Sequence, residues 1–113
     1  MTEQEFLKAA ERTLDAIENA LERAVDAGLE VEVERQGNVL SVTFEDDSKI
    51  IVNSHGAARE IWVAARSGGF HYRDVEGRWV DTRAGDELFA ALSRMVSAQG
   101  GQAVVLGGRP GPA

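Results

Sequence analysis

At 113 residues, 43% apolar and 27% charged, the chain has enough material for one domain with a single modest core and too little for two. It has no cysteine, which excludes disulfides, thiolate metal sites and cysteine nucleophiles, and a net charge of −7 argues against a nucleic-acid binder. The charge is uneven: residues 1–47 hold 13 acidic and 4 basic side chains, whereas residues 48–113 hold 6 and 8.

The N-terminus, Met1-Thr2-Glu3-Gln4-Glu5, lacks the basic and apolar regions of an export signal. No apolar run approaches the length of a membrane span, so a cytoplasmic protein without membrane attachment is expected. A first helix is predicted over residues 2–27, with Thr2 and Glu5 as a capping box and Gly28 as its stop. Its buried stripe is Phe6, Ala10, Leu14, Ile17, Leu21 and Val25. On another stripe, steps of four, three, four and four residues align Glu11, Asp15, Glu18, Glu22 and Asp26.

Residues 29–34 alternate with a period of two, placing Glu30, Glu32 and Glu34 on one strand face and Leu29, Val31 and Val33 on the other. Further strands are predicted at 39–44, 48–53, 59–65, 70–72 and 78–81, separated by turns rich in Gly, Asn and Asp. In the fourth, Ile61 and Val63 share one face while Glu60, Trp62 and Ala64 share the other, which the polar Glu60 marks as the open face. An uncovered tryptophan there is a candidate contact for a partner. A second helix is predicted over 85–99, with Leu88, Phe89, Leu92, Met95 and Val96 facing inward. The Gly- and Pro-rich tail contains one apolar run, Ala103-Val104-Val105-Leu106, able to pack on the domain. The folded unit is placed at 1–106, with disorder expected over 107–113. The order gives an α+β fold, a two-layer sandwich of an antiparallel sheet of five or six strands with both helices on one face.

The acidic stripe works against its own helix. Glu11 with Asp15, Glu18 with Glu22, and Glu22 with Asp26 are like-charge pairs at i,i+4, each costing about 0.2–0.5 kcal/mol. Glu22 and Asp26 also stand near the negative end of the helix dipole. A bound cation or a basic partner would relieve this repulsion. Only carboxylate oxygens are offered, which suits hard ions such as Fe²⁺, Fe³⁺, Mn²⁺, Mg²⁺ or Ca²⁺, and ligands on one convex face leave most of the ion's shell as water. His55 and His71 lack zinc spacing. No nucleophile elbow, phosphate-binding loop or catalytic triad is present, and exposed carboxylates have nothing to raise their pKa, so catalysis is not expected.

The acidic first helix, followed by Val39-Leu40-Ser41-Val42-Thr43-Phe44, Ser48-Lys49-Ile50-Ile51-Val52-Asn53, Glu60-Ile61-Trp62-Val63-Ala64 and Gly68-Gly69-Phe70-His71-Tyr72, resembles the frataxin family and within it the bacterial CyaY-type branch. The resemblance runs over about residues 3–99. It implies weak binding of iron, Fe²⁺ or Fe³⁺, through Glu11, Asp15, Glu18, Glu22, Asp26, Glu30, Glu32 and Glu34. It also implies a regulatory or iron-donor role in iron-sulfur cluster assembly, with contacts to a cysteine desulfurase and a scaffold protein through Glu18, Glu22, Asn53, Trp62 and His71, and a monomer when metal-free. Asn19 and Arg23 interrupt the acidic stripe, and Arg73 stands where the family commonly has an aspartate. The alternative is an acidic protein-interaction module with incidental cation binding.

Overall fold

Thr2 opens the first helix, α1 (Glu3–Asp26), through a complete capping box: its side chain accepts from the Glu5 amide at 3.1 Å, while Glu5 accepts from the Thr2 amide at 2.8 Å. Gly28, at φ +116°, ends the helix, with the Gly28 and Leu29 amides donating back to the carbonyls of Val25 and Ala24 in a Schellman arrangement. The structure, a computed structural model, describes residues 1–107. Among these, no helix is long and apolar enough to cross a membrane.

Six strands follow: β1 (Val31–Gln36), β2 (Val39–Phe44), β3 (Lys49–His55), β4 (Glu60–Ala65), β5 (Gly68–Val75) and β6 (Arg78–Asp81). Each pairs antiparallel with its neighbours in chain order, so β1 and β6 are the sheet edges. The second helix, α2 (Leu88–Gly100), is capped by the Glu87 side chain, which accepts from the Phe89 and Ala90 amides. Both helices pack on one sheet face. Phe6, Leu14, Ile17, Phe89 and Leu92 join Leu40, Val42, Ile50 and Ile61 in a single core, and the other face of the sheet is uncovered. This is the predicted two-layer sandwich.

Several details depart from the sequence reading. Val25 is 37% exposed, because the inward stripe runs through Thr13, Ala20 and Leu21 to Ala24, which packs against the core and leaves Val25 turned to its side. Strand pairing begins at Val31 rather than residue 29, since Leu29 is committed to closing α1. The third and fifth strands are longer than predicted, reaching His55 and Val75. α2 starts three residues late because Asp81 folds the preceding segment into a turn, accepting from the Arg83 and Ala84 amides. Trp79 is core: it meets Phe6 edge-on at 5.8 Å, and its Nε1 donates to Thr13 Oγ1 at 2.8 Å. Tyr72 is also fully buried, its hydroxyl has no partner among the described residues, and burial, with Asp81 and Asp86 nearby, pushes its pKa up to about 12.

The apolar run of the tail docks. Val104 and Leu106 are buried while Val105 is 86% exposed. Ser97 Oγ accepts from the Val104 amide and donates to its carbonyl, and the Leu106 amide donates to Ser93 Oγ. Of the segment expected to be disordered, 108–113 lies outside the described residues.

Candidate functional site

The helical spacing places Glu11, Asp15, Glu18, Glu22 and Asp26 along one flank of α1; all are exposed except Glu18, which is half-buried. The strand alternation places Glu30, Glu32 and Glu34 in solvent as well, with Val31 and Val33 turned toward the core. The two rows approach the β1 edge from different layers. Glu32 and Glu34 share the open sheet face with their cross-strand partners Thr43 and Ser41, whereas α1 lies against the covered face.

Between the rows stands Arg35. Its inward parity on β1 sends the side chain beneath the edge, where it is only 15% exposed. The Nε donates to the Gly37 carbonyl at 2.7 Å, and Nη1 donates to Asp15 Oδ1 at 2.9 Å and Glu18 Oε1 at 3.2 Å. The uncompensated row expected from the helix alone is therefore relieved at its middle by an arginine of the same chain. Spacing within the helix could not show this, because the partner comes from a strand about twenty residues on. Glu11, Glu22, Asp26, Glu30, Glu32 and Glu34 make no ion pair among the described residues.

The hairpin register adds carboxylates that sequence reasoning left out. Pairing of Val31 with Phe44 brings the β2–β3 turn beside the start of β1, so that Glu45 and Asp47 join Glu30 and Glu32 around an open cleft of about 450 Å³. Asp46 turns aside: its carboxylate accepts from the Ser48 amide and hydroxyl and pairs with Arg66, contacts that hold its pKa below the usual aspartate value. Among the described residues, no three or more His, Asp or Glu side chains are gathered closely enough to hold a metal ion. The carboxylates of this edge stand apart from one another, and a hard cation among them would keep most of its water.

The open sheet face carries a second constellation. Cross-strand register aligns Asn53, Trp62 and His71 in one row over β3, β4 and β5. The His71 ring stacks on one side of the Trp62 indole at 4.5 Å, and His55 stacks on the other at 4.1 Å. His55 lies beyond the third strand predicted over 48–53; continuing the alternation of Ile51 and Asn53 by one more step places it here. Glu60 anchors the group. Its Oε1 accepts from Trp62 Nε1 at 2.8 Å and lies 3.4 Å from His71 Nδ1, while Oε2 accepts from Arg73 Nε at 2.9 Å. Glu60 is 8% exposed rather than open to solvent, because these neighbours close over it. Burial raises its pKa, but hydrogen bonds from Trp62 and Arg73 and the Arg73 charge outweigh burial and leave it below 4.5. Glu18 and Glu22, on α1 in the other layer, are not part of this constellation.

The sequence profile of the frataxin-like domain matches residues 1–102. The chain belongs to the frataxin family. It is 59% identical over 108 residues to the iron-sulfur cluster assembly protein CyaY of Janthinobacterium sp. (strain Marseille), covering 94% of this chain and 96% of that one. It is 55% identical to the CyaY of Cupriavidus pinatubonensis, covering 95% and 97%. Among solved structures, the frataxin of Psychromonas ingrahamii superposes with a TM-score of 0.85 at 30% identity, covering 95% of this chain and 99% of that one. A trimeric frataxin from the yeast Saccharomyces cerevisiae, complexed with ferrous iron, shares the fold at a TM-score of 0.74 and 24% identity, covering 83% and 87%. Within this frataxin, Arg73 takes up the Glu60 carboxylate, which gives the departure noted in the sequence a structural role on the sheet face.

Proposed function

We propose that this frataxin acts in iron-sulfur cluster assembly, as a non-catalytic cytoplasmic protein that binds iron weakly and docks onto the assembly machinery. The observation that carries the proposal is 59% identity, over nearly the full length of both chains, to a protein named for that process. In this reading Fe²⁺ or Fe³⁺ is cargo, held by Glu11, Asp15, Glu18, Glu22, Asp26, Glu30, Glu32 and Glu34. The same acidic edge meets a basic surface of a cysteine desulfurase, and Asn53, Trp62 and His71 contact the scaffold protein. The exposed carboxylates support weak, multiple, salt-sensitive sites with little choice among hard divalent cations. The stacked row supports the scaffold contact: Trp62 is held on both faces, so little rotamer entropy is lost on binding.

One observation favours a second reading, an acidic interaction module in which cation binding is incidental. Arg35 already occupies Asp15 and Glu18, leaving a broken rather than continuous row of carboxylates for a metal. Anaerobic titration with Fe²⁺, followed through amide NMR signals, separates the two. Selective broadening along α1 and β1 is the expected result for iron cargo. No broadening, or broadening confined elsewhere, leaves only the interaction module.

A further inference from the structure

Leu7 stands four residues before Glu11 and so heads the acidic stripe of α1, yet it is apolar and 44% exposed. Beside it, between α1, the β1–β2 turn and β3, lies a cavity of about 240 Å³ lined by Leu7, Leu14, Glu11, Arg35, Asn38 and Ser54. Its walls are fixed in advance. Arg35 is held by Gly37, Asp15 and Glu18, and Asn38 Nδ2 donates to the Ser54 carbonyl at 2.9 Å, tying the turn to β3. Glu11 lines the same cavity and makes no ion pair among the described residues.

Three properties define what fits. The space is smaller than the roughly 300–1,000 Å³ of small-molecule pockets, which matches one side chain rather than a cofactor. Its leucine surface accommodates an aliphatic stem, and a purely apolar occupant would leave the Glu11 carboxylate partly desolvated without compensation. Its charged walls are Glu11 and Arg35, and the Arg35 guanidinium is already matched by Asp15 and Glu18, so Glu11 is the unpaired charge that an occupant meets and an anionic head is disfavoured.

We propose that this cavity receives one lysine or arginine side chain from the basic partner surface, with the stem along Leu7 and Leu14 and the cationic head at Glu11. The inference rests on the reading that the acidic edge docks onto a basic protein, and it names the anchor of that contact. A stem buried on leucine with its charge reaching a carboxylate at the rim is how long basic side chains cover apolar surface. A preformed pocket filled by one such residue is where binding energy concentrates in an interface.

The test uses the full chain and small probes, N-acetyl-lysine methylamide and N-acetyl-arginine methylamide, followed by methyl and amide NMR. N-acetyl-norleucine methylamide serves as the uncharged control. Saturable shifts are expected at Leu7, Leu14, Gly37 and Asn38 with at least one basic probe and not with the control. Glu11→Gln and Leu7→Ser should each weaken binding about fivefold, whereas Glu22→Gln, the same charge change elsewhere on the stripe, should change it less than about twofold. Non-saturating shifts spread along the whole acidic edge, or equal losses in the Glu11 and Glu22 variants, would overturn the anchor. Neither result touches desulfurase docking, which is read by its own affinity, so failure of the anchor and failure of the wider reading remain distinguishable.

Discussion

Replacing Arg35 with methionine keeps most of the aliphatic stem and deletes the guanidinium that joins β1 to α1. The contact to Glu18, whose side chain is 28% exposed, is worth about 1 kcal/mol as a partly buried charged hydrogen bond, and the bond to the Gly37 carbonyl about the same. The contact to Asp15, 57% exposed, adds only a few tenths of a kcal/mol after screening, roughly at the low end of surface ion pairs. Loss of the cation also restores repulsion between Glu11 and Asp15, about 0.2–0.5 kcal/mol. Together these predict a loss of about 2–3 kcal/mol, or a Tm lowered by roughly 8–15 °C in a domain of this size. Thermal and urea unfolding followed by circular dichroism, at low salt and near 1 M salt, reads both the size and the cause. Salt weakens the ion pairs of the native chain and relieves repulsion in the variant, so the gap should narrow at high salt. A Tm change under about 2 °C, or a gap of the same size at both salt concentrations, would refute the argument that charge rather than stem packing acts here.

Other predictions follow from the buried polar groups and the docked tail. Glu60 has a lowered folded pKa, so its contribution to stability is fully present above the unfolded value near 4.5 and is lost as pH falls through the lower folded one. Glu60→Gln should therefore cost about 1–3 kcal/mol at pH 7, and the difference from the native chain should shrink steadily as urea midpoints are measured from pH 5 downward. Tyr72→Phe removes a hydroxyl that is buried without a partner, so urea denaturation should show stability unchanged or raised by up to about 1 kcal/mol. Leu106→Ala should destabilise by about 2–3 kcal/mol, since Leu106 is 2% exposed, whereas Val105→Ala should fall within about 0.5 kcal/mol. Thermal unfolding of the two variants side by side tests whether residues 104–106 belong to the folded unit.

The fold was legible because two periodicities carry it. The capping box at Thr2, the stop at Gly28 and the alternation of Val39 to Phe44 act locally, and the structure uses each as read. The errors fall where a tertiary partner decides. Val25 fits the helical stripe but yields the inward position in the last turn of α1 to Ala24, and Glu60 fits an open face but is closed over by Trp62, His71 and Arg73. The acidic residues were visible as charge and spacing. Arg35, which rearranges their energetics, is an ordinary strand arginine in sequence, and only the packing of β1 against α1 brings it to Asp15 and Glu18. The His55–Trp62–His71 stack likewise needs three strands in register, which no single segment encodes.

We propose the acidic edge as the working surface of this frataxin. Its most direct test is the equilibrium affinity for a bacterial cysteine desulfurase, measured over a range of salt for the native chain and for Glu22→Lys combined with Glu32→Lys. Both positions are exposed and make no ion pair among the described residues, so the reversal leaves the Arg35 contacts intact. Affinity that declines with salt in the native chain and drops by about tenfold or more in the double variant is the predicted result. Equal, salt-insensitive binding by both proteins would contradict it.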